Sequence, residues 1–201
     1  EPAGFVAQTT SLDRRFIRFD ERGELRSIAE AGFLGDTTVS ARDRIRATTS
    51  LGNMCAWPGR GFAYVNGYVG EIEYYDNEAR LVGTADVPVD TSSPFEGAPE
   101  GGRRFKTPER YYYMHCTVHD DRLIALYSGT PLARGVNLNE AAHGRRLHAF
   151  RWDGTFLGEA TLGAPVRALA SDRYRDRLIA TSTLDAAVRV YPASSLMWDT
   201  Q

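Results

Sequence analysis

Four times along the chain, apolar and polar residues alternate for about five positions, break at a tight polar turn, and resume in a second short run. The copies are Arg15 to Leu25, Glu71 to Leu81, Leu147 to Leu157 and a worn one at Val188 to Leu196. Alternation at a period of two places every second side chain on one face, so each copy predicts two half-buried β-strands joined by a turn. Upstream of three copies stands another pair of β-rich runs. They are Asn53 to Trp57 with Phe62 to Val65, Tyr113 to Val118 with Arg122 to Tyr127, and Val166 to Ala170 with Arg177 to Thr181. Gly, Pro and Asp punctuate the turns between them. Together the two motifs give sets of four strands, A to D. No stretch carries a capped 3.6-residue apolar period, so helix should be scarce.

An aromatic before each C–D turn anchors the alignment: Phe19, Tyr75, Phe150 and Tyr191, spaced by 56, 75 and 41 residues. Self-similarity at roughly 40 residues or more is the signature of a β-propeller, one four-stranded antiparallel blade per copy. The fold class expected is therefore all-β, a single propeller domain over 1–201 with about four blades at approximately 1–31, 50–88, 111–162 and 163–201. In the first blade Phe5 to Thr10 reads as strand B with no strand A before it, and Leu196 to Trp198 offers strand D of the last. The expectation is the later portion of a longer, six-bladed ring rather than a trimmed four-bladed one.

Arg167-Ala168-Leu169-Ala170-Ser171-Asp172, then Leu178-Ile179-Ala180-Thr181-Ser182 and Ala187-Val188-Arg189-Val190-Tyr191, resembles a blade of the six-bladed TolB-like and NHL-repeat propellers. The Phe-x-x-Asp-Gly element at Phe150 to Gly154, with Phe19-Asp20 and Tyr75-Asp76, is similar. That resemblance implies one of several roles, among them periplasmic scaffold, secreted binding protein, lactonase or lyase. It implies no calcium-binding set, because no matching Asn, Asp and Glu positions are present.

Composition removes several classes. The 201 residues carry 24 basic and 26 acidic side chains, a net charge of -2, which is no nucleic-acid footprint. No apolar run approaches the roughly 20 residues of a membrane span. Lys106 is the only lysine, so the basic charge is almost all Arg. There is no Gly-x-Ser-x-Gly elbow, no Gly-x-x-x-x-Gly-Lys loop and no Gly-x-Gly-x-x-Gly fingerprint. The alignment places Cys55, Cys116 and Leu169 at one inner-strand position, which predicts buried free thiols packed as small apolar groups, not a disulfide.

Connection lengths carry the functional expectation. The A–B and C–D turns are short, whereas 32–50, 89–110 and 128–146 are long, and strand alternation puts all three on one face. Long loops on a rigid scaffold are where function concentrates. The segment around Gly97 to Gly102 reads as flexible loop. Arg42, Arg44 and Arg46 lie in the first segment, Arg103, Arg104, Lys106 and Arg110 in the second, and Arg134, Arg145 and Arg146 in the third. They predict a rim that attracts a small anionic ligand or an acidic protein partner. Asn53, His115 and Arg167, near the starts of the A strands, are candidates at the channel. The function expected is a binding or scaffolding module, periplasmic or secreted, with no cofactor. The alternative is a propeller-type lactonase or lyase with a metal such as calcium in the channel, using those inner-strand residues.

Overall fold

The computed structural model describes residues 4–8, 16–20, 22–29, 39–40, 52–90, 95–99, 101–106 and 109–199. The first sheet holds three antiparallel strands, β1 (Gly4–Gln8), β2 (Phe16–Asp20) and β3 (Leu25–Ala29). The second holds β4 (Gly52–Trp57), β5 (Gly61–Asn66), β6 (Ile72–Tyr75) and β7 (Leu81–Thr84). A two-stranded hairpin, β8 (Phe95–Gly97) with β9 (Arg103–Phe105), precedes the third sheet. That sheet is β10 (Tyr113–His119), β11 (Arg122–Tyr127), β12 (Gly144–Phe150) and β13 (Phe156–Val166). The fourth is β14 (Ala168–Asp172), β15 (Arg177–Ser182) and β16 (Ala187–Pro192). Helix is confined to the four-residue α1 (Leu138–Ala141) and two short 3-10 turns among the described residues.

Three apolar cores lie between successive sheets. Phe16 of the first sheet packs edge-on to Phe62, Tyr64 and Tyr75 of the second. Ala63, Val65, Ile72 and Tyr74 then meet Leu123, Ala125, Tyr127 and Phe150 of the third. On the other side of the third sheet, Ile124, Leu126 and Leu147 meet Leu169, Leu178 and Ala180 of the fourth. Each sheet thus has a forward face toward the next sheet and a backward face toward the previous one. The strand period of two assigns alternate residues to each.

Counting from each A–B turn makes the repeat explicit. The last pairs before the turns are Trp57 with Gly61, His119 with Arg122, and Asp172 with Arg177, closing loops of different length. One step further in stand the backward residues Phe62, Leu123 and Leu178, paired across to the anchors Tyr75, Phe150 and Tyr191. The next row is forward: Ala63 with Tyr74, Ile124 with Ala149, and Ile179 with Val190.

This register corrects the cysteine assignment. One row further in, a backward row, the A-strand partners are Met54, Cys116 and Leu169, opposite Tyr64, Ala125 and Ala180. Cys55 is one residue away, paired with Ala63, and a one-residue step turns a side chain to the other face. Cys55 therefore points forward from the second sheet and Cys116 backward from the third. They form a disulfide with the Cα atoms 5.9 Å apart. Reading them as free thiols fails because the A–B loops differ in length. The three-residue loop at 58–60 against the two-residue turn at 120–121 shifts the frame by one.

Two further expectations change. The stretch around Gly97 to Gly102 is the turn of the β8–β9 hairpin, where Gly101 and Gly102 take φ of +88° and +81°, open to glycine without strain. The C-terminal run does not add strand D to the fourth sheet. After Pro192 the chain makes a 3-10 turn, and Asp199 pairs instead with Glu159 of β13, through hydrogen bonds of 2.8 and 3.1 Å. Trp198 and Leu196 pack against the core between the third and fourth sheets, which accounts for the detour.

Candidate functional site

The long connections that fall among the described residues meet. Arg110 forms a β-bridge with Pro131, Tyr111 N–H donates to Thr130 O at 2.9 Å, and Leu132 N–H donates to Glu109 O at 2.8 Å. Tyr112 N–H reaches Gly67 O, in the β5–β6 turn, at 2.8 Å, and the Tyr68 and Tyr111 rings stack at 5.7 Å. The start of β10, the β11–β12 connection and the β5–β6 turn therefore form one surface, called here the loop face. Arg42, Arg44 and Arg46 lie outside the described residues.

A cleft of about 610 Å³ opens among Ser128, Thr130, Glu140, His143, Arg145, Arg146 and Leu184. Local hydrogen bonds build its walls. Asn137 caps α1 by accepting the Asn139 N–H at 3.0 Å, and His143 Nδ1–H donates to Asn139 O at 2.7 Å. The Nε2 lone pair then accepts Thr183 N–H at 3.2 Å, fixing the tautomer and tying the third sheet's insertion to the β15–β16 turn. Ser128 Oγ donates to Ala141 O at 2.6 Å, clasping the helix to the end of β11.

Tyr127, the last residue of β11, organises the cations. Its ring, buried between sheets, lies 4.5 Å beneath the Arg146 guanidinium. The Tyr127 hydroxyl is the first cause of a rise in the Arg110 pKa above its ordinary value. Arg146 also pairs with Glu159 at 3.3 Å. Beneath lies His148, fully buried and stacked on Tyr127 at 5.0 Å. Tyr113 O–H donates to His148 Nδ1 at 2.8 Å, and Nε2–H donates to Glu159 at 2.8 Å. Burial depresses the His148 pKa despite the opposing pull of Glu159. Burial likewise pushes the Tyr113 hydroxyl up, so it stays a donor. Gly144 must be glycine for this approach, because a Cβ there would sit 2.4 Å from Tyr127 O.

The residues singled out from sequence fall into two groups. On the loop side, Arg145 donates to Gly163 O, Arg104 pairs with Glu96 at 2.9 Å, and Arg103 sits on β9 opposite Gly97. Lys106 pairs with Glu109 at 2.5 Å, which lowers the charge available near Arg110. Arg145 is thus held by a neutral carbonyl and keeps its charge for a ligand. The second group is on the inner strands. Asn53 and His115 are half-buried on β4 and β10, and Arg167 precedes β14 with its N–H on Thr181 O at 2.6 Å. His115 Nδ1 accepts Leu169 N–H at 3.3 Å across the interface, and burial lowers its pKa. Tyr127 gave no signal in the sequence, where it is one more aromatic ending a strand.

The opposite, short-turn end has chemistry of its own. His119 lies four residues from His115 on β10, roughly 13 Å away at strand rise. Its Nδ1 is 2.9 Å from Ser171 Oγ, and its Nε2 is 3.0 Å from Asp176 Oδ1 and 3.8 Å from Asp120 Oδ2. Among the described residues this is the one His, Cys, Asp and Glu group compact enough for a cation, with ligand atoms within 4.8 Å of one another. Two carboxylates at Nε2 place the imidazole proton there, so Ser171 O–H donates to Nδ1. Hydrogen bonds from Ser194 and then from His119 hold Asp176 below the usual carboxylate range. With both imidazole nitrogens occupied, the group ties β10 to the β14–β15 turn.

No protein-family model matches the sequence, and none of the curated proteins does. Among solved structures the chain is similar to the crystal structure of RRP9 WD40 repeats, at 12% identity and a TM-score of 0.50, over 96% of this chain and 49% of that one. It is also similar to the structure of the Dos1 propeller, at 10% identity and a TM-score of 0.36, over 92% of this chain and 54% of that one. The chain spans about half the length of each. No helix among the described residues is long and apolar enough to cross a membrane. The likeness to the WD40 structure, with the stacked antiparallel sheets, shows an all-β chain whose sheets resemble the blades of a β-propeller.

Proposed function

We propose that the chain is a binding module whose loop face recognises a carboxylate- or phosphate-bearing ligand, either a small anion or an acidic segment of a protein. The observation that carries this is the arrangement around Tyr127. One rigid aromatic at a strand end holds Arg146 over its ring, in the cleft that Arg145 also lines, and its hydroxyl raises the pKa of Arg110. Arg presents a planar donor fork suited to carboxylate and phosphate, and a buried aromatic fixes the fork before the ligand arrives. Thr130 adds a hydroxyl in the same cleft.

An address outside the cytoplasm, periplasmic or secreted, is part of this proposal. The Cys55–Cys116 disulfide supports it, because such bonds persist in oxidising compartments.

The test is a calorimetric titration with two probes, inorganic phosphate and a poly-glutamate peptide, at low and moderate salt. Binding of either that weakens with salt and is lost in the Arg110→Gln, Arg145→Gln double variant supports the reading. Phosphate alone binding indicates a small-anion site, and the peptide alone an acidic partner. Equal affinity in wild type and double variant overturns it.

A further inference from the structure

At the short-turn end, two carboxylates from different sheets converge on one imidazole nitrogen. His119 ends β10, and the turn that follows places Asp120 beside it with a φ of +52°. Asp176 caps the 3-10 turn Arg173–Arg175 of the fourth sheet with a φ of +49°. Both are left-handed positions, which Asp and Asn tolerate better than most residues with a side chain. Asp176 Oδ1 lies 3.0 Å from His119 Nε2, and Asp120 Oδ2 lies 3.8 Å from it. Elsewhere at this end a carboxylate meets arginine: Asp121 pairs with Arg60 at 3.2 Å and Asp172 with Arg175 at 3.4 Å. Among the described residues neither Asp120 nor Asp176 has an arginine or lysine partner. The single Nε2 proton serves Asp176 and leaves Asp120 beyond hydrogen-bond reach. Positive charge is what this group lacks.

The imidazole and the Asp176 carboxylate are also held from behind. Ser194 N–H donates to Asp176 Oδ2 at 3.2 Å, which leaves Oδ1 aimed at His119. His119 is 6% exposed, and Ser171 Oγ lies 2.9 Å from its Nδ1. A ring nitrogen that binds a metal leaves the proton on the other nitrogen, where it needs an acceptor, and Ser171 Oγ can accept as well as donate. The spacing suits a small ion. A tetrahedral ion with bonds of about 2.1 Å sets its ligands about 3.4 Å apart, between the two separations at Nε2. All three ligand atoms lie within 4.8 Å of one another.

We propose that His119, Asp120 and Asp176 bind one zinc-class divalent cation, which staples the A–B turn of the third sheet to that of the fourth. Imidazole joined to carboxylates suits such an ion, whereas calcium takes about six to eight oxygens, more than this group offers. The ion replaces the Nε2 proton, which leaves to solvent, and Nδ1–H then donates to Ser171 Oγ. Three protein ligands leave the fourth position to water. The cation is a structural staple, and its binding is independent of the anion proposed for the loop face.

Zinc chloride added to the oxidised 201-residue chain tests it, with bound zinc counted by competition against a chromophoric chelator and the Tm read by circular dichroism. One equivalent should bind. Saturating zinc should raise the Tm by several degrees, because an ion that binds the folded chain alone stabilises it, and calcium at the same concentration should not. Asp120→Asn and Asp176→Asn keep residues that suit the left-handed turns. Each should weaken zinc about tenfold or more and lose most of the zinc-induced shift, measured against its own metal-free Tm. Zinc that binds both variants as tightly as the wild type overturns the proposal. So does a wild type that binds none, or one that calcium stabilises as much as zinc.

Discussion

Cys55 and Cys116 are covalently joined across two sheets because they occupy opposite faces one residue out of register, with the Cα atoms 5.9 Å apart. The bond closes a sequence separation of 61 residues. Chain-entropy reasoning assigns a loop of that size about 4 kcal/mol of stabilisation. For a chain of this length that corresponds to roughly 10 °C in Tm. A thermal melt with and without reductant should show a loss of that order, and the Cys55→Ala, Cys116→Ala variant should match the reduced protein. Identical melts would mean that the pair does not bond.

The buried His148 makes stability depend on pH in a defined window. Tyr113, Tyr127, Glu159 and Arg146 face it, and burial holds its folded pKa below the unfolded value. Below about pH 6.5 the unfolded chain binds more protons than the native one, so stability falls as pH falls, by at most about 1.4 kcal/mol per pH unit per group. His115, depressed by the same cause, adds to the slope. Carboxylates whose pKa is lowered, such as Asp176 and Asp185, act at more acid pH. Urea midpoints between pH 7 and pH 5 should fall in the wild type and fall less in His148→Phe. A flat wild-type profile would contradict the assignment.

Tyr74, whose ring meets Trp57 and Trp152 edge-on, carries a buried hydroxyl with no hydrogen-bond partner among the described residues. Removing an unsatisfied buried polar atom while keeping the ring recovers about 1 kcal/mol of desolvation. Tyr74→Phe should therefore be neutral to stabilising by chemical denaturation. A loss above that size would show that the hydroxyl is paired.

Tyr127→Phe keeps the ring beneath Arg146 and removes the hydroxyl that raises the Arg110 pKa. Anion affinity on the loop face should drop several-fold if that hydroxyl helps to pre-order the cation, a loss of about 1 kcal/mol. Fold stability, read by the Tm, should shift much less than in the cysteine variants. Unchanged affinity would remove Tyr127 from the site.

The legible part of this molecule is the part governed by local period. Alternation marked β4, β5, β10, β11 and β15 within a residue or two, and the aromatic anchors Tyr75, Phe150 and Tyr191 do fall in one structural row. What stayed hidden depends on loop length and distant packing. A single extra residue at 58–60 reversed the face of Cys55, and no local pattern reports such a slip. The hook of Asp199 onto Glu159 is set by where Trp198 finds apolar cover. At the loop face, the arginines were visible as charge. Which ones a carboxylate neutralises, as Glu96 does Arg104, is decided by contacts the spacing does not encode.

The central functional claim is that ligands approach the loop face rather than the short-turn end, and hydrogen–deuterium exchange with and without the poly-glutamate probe tests it directly. Added probe should protect 109–111, 128–131 and 143–146 and leave 119–122 and 151–153 unchanged. Protection confined to the turns at 119–122 and 151–153 would contradict the account.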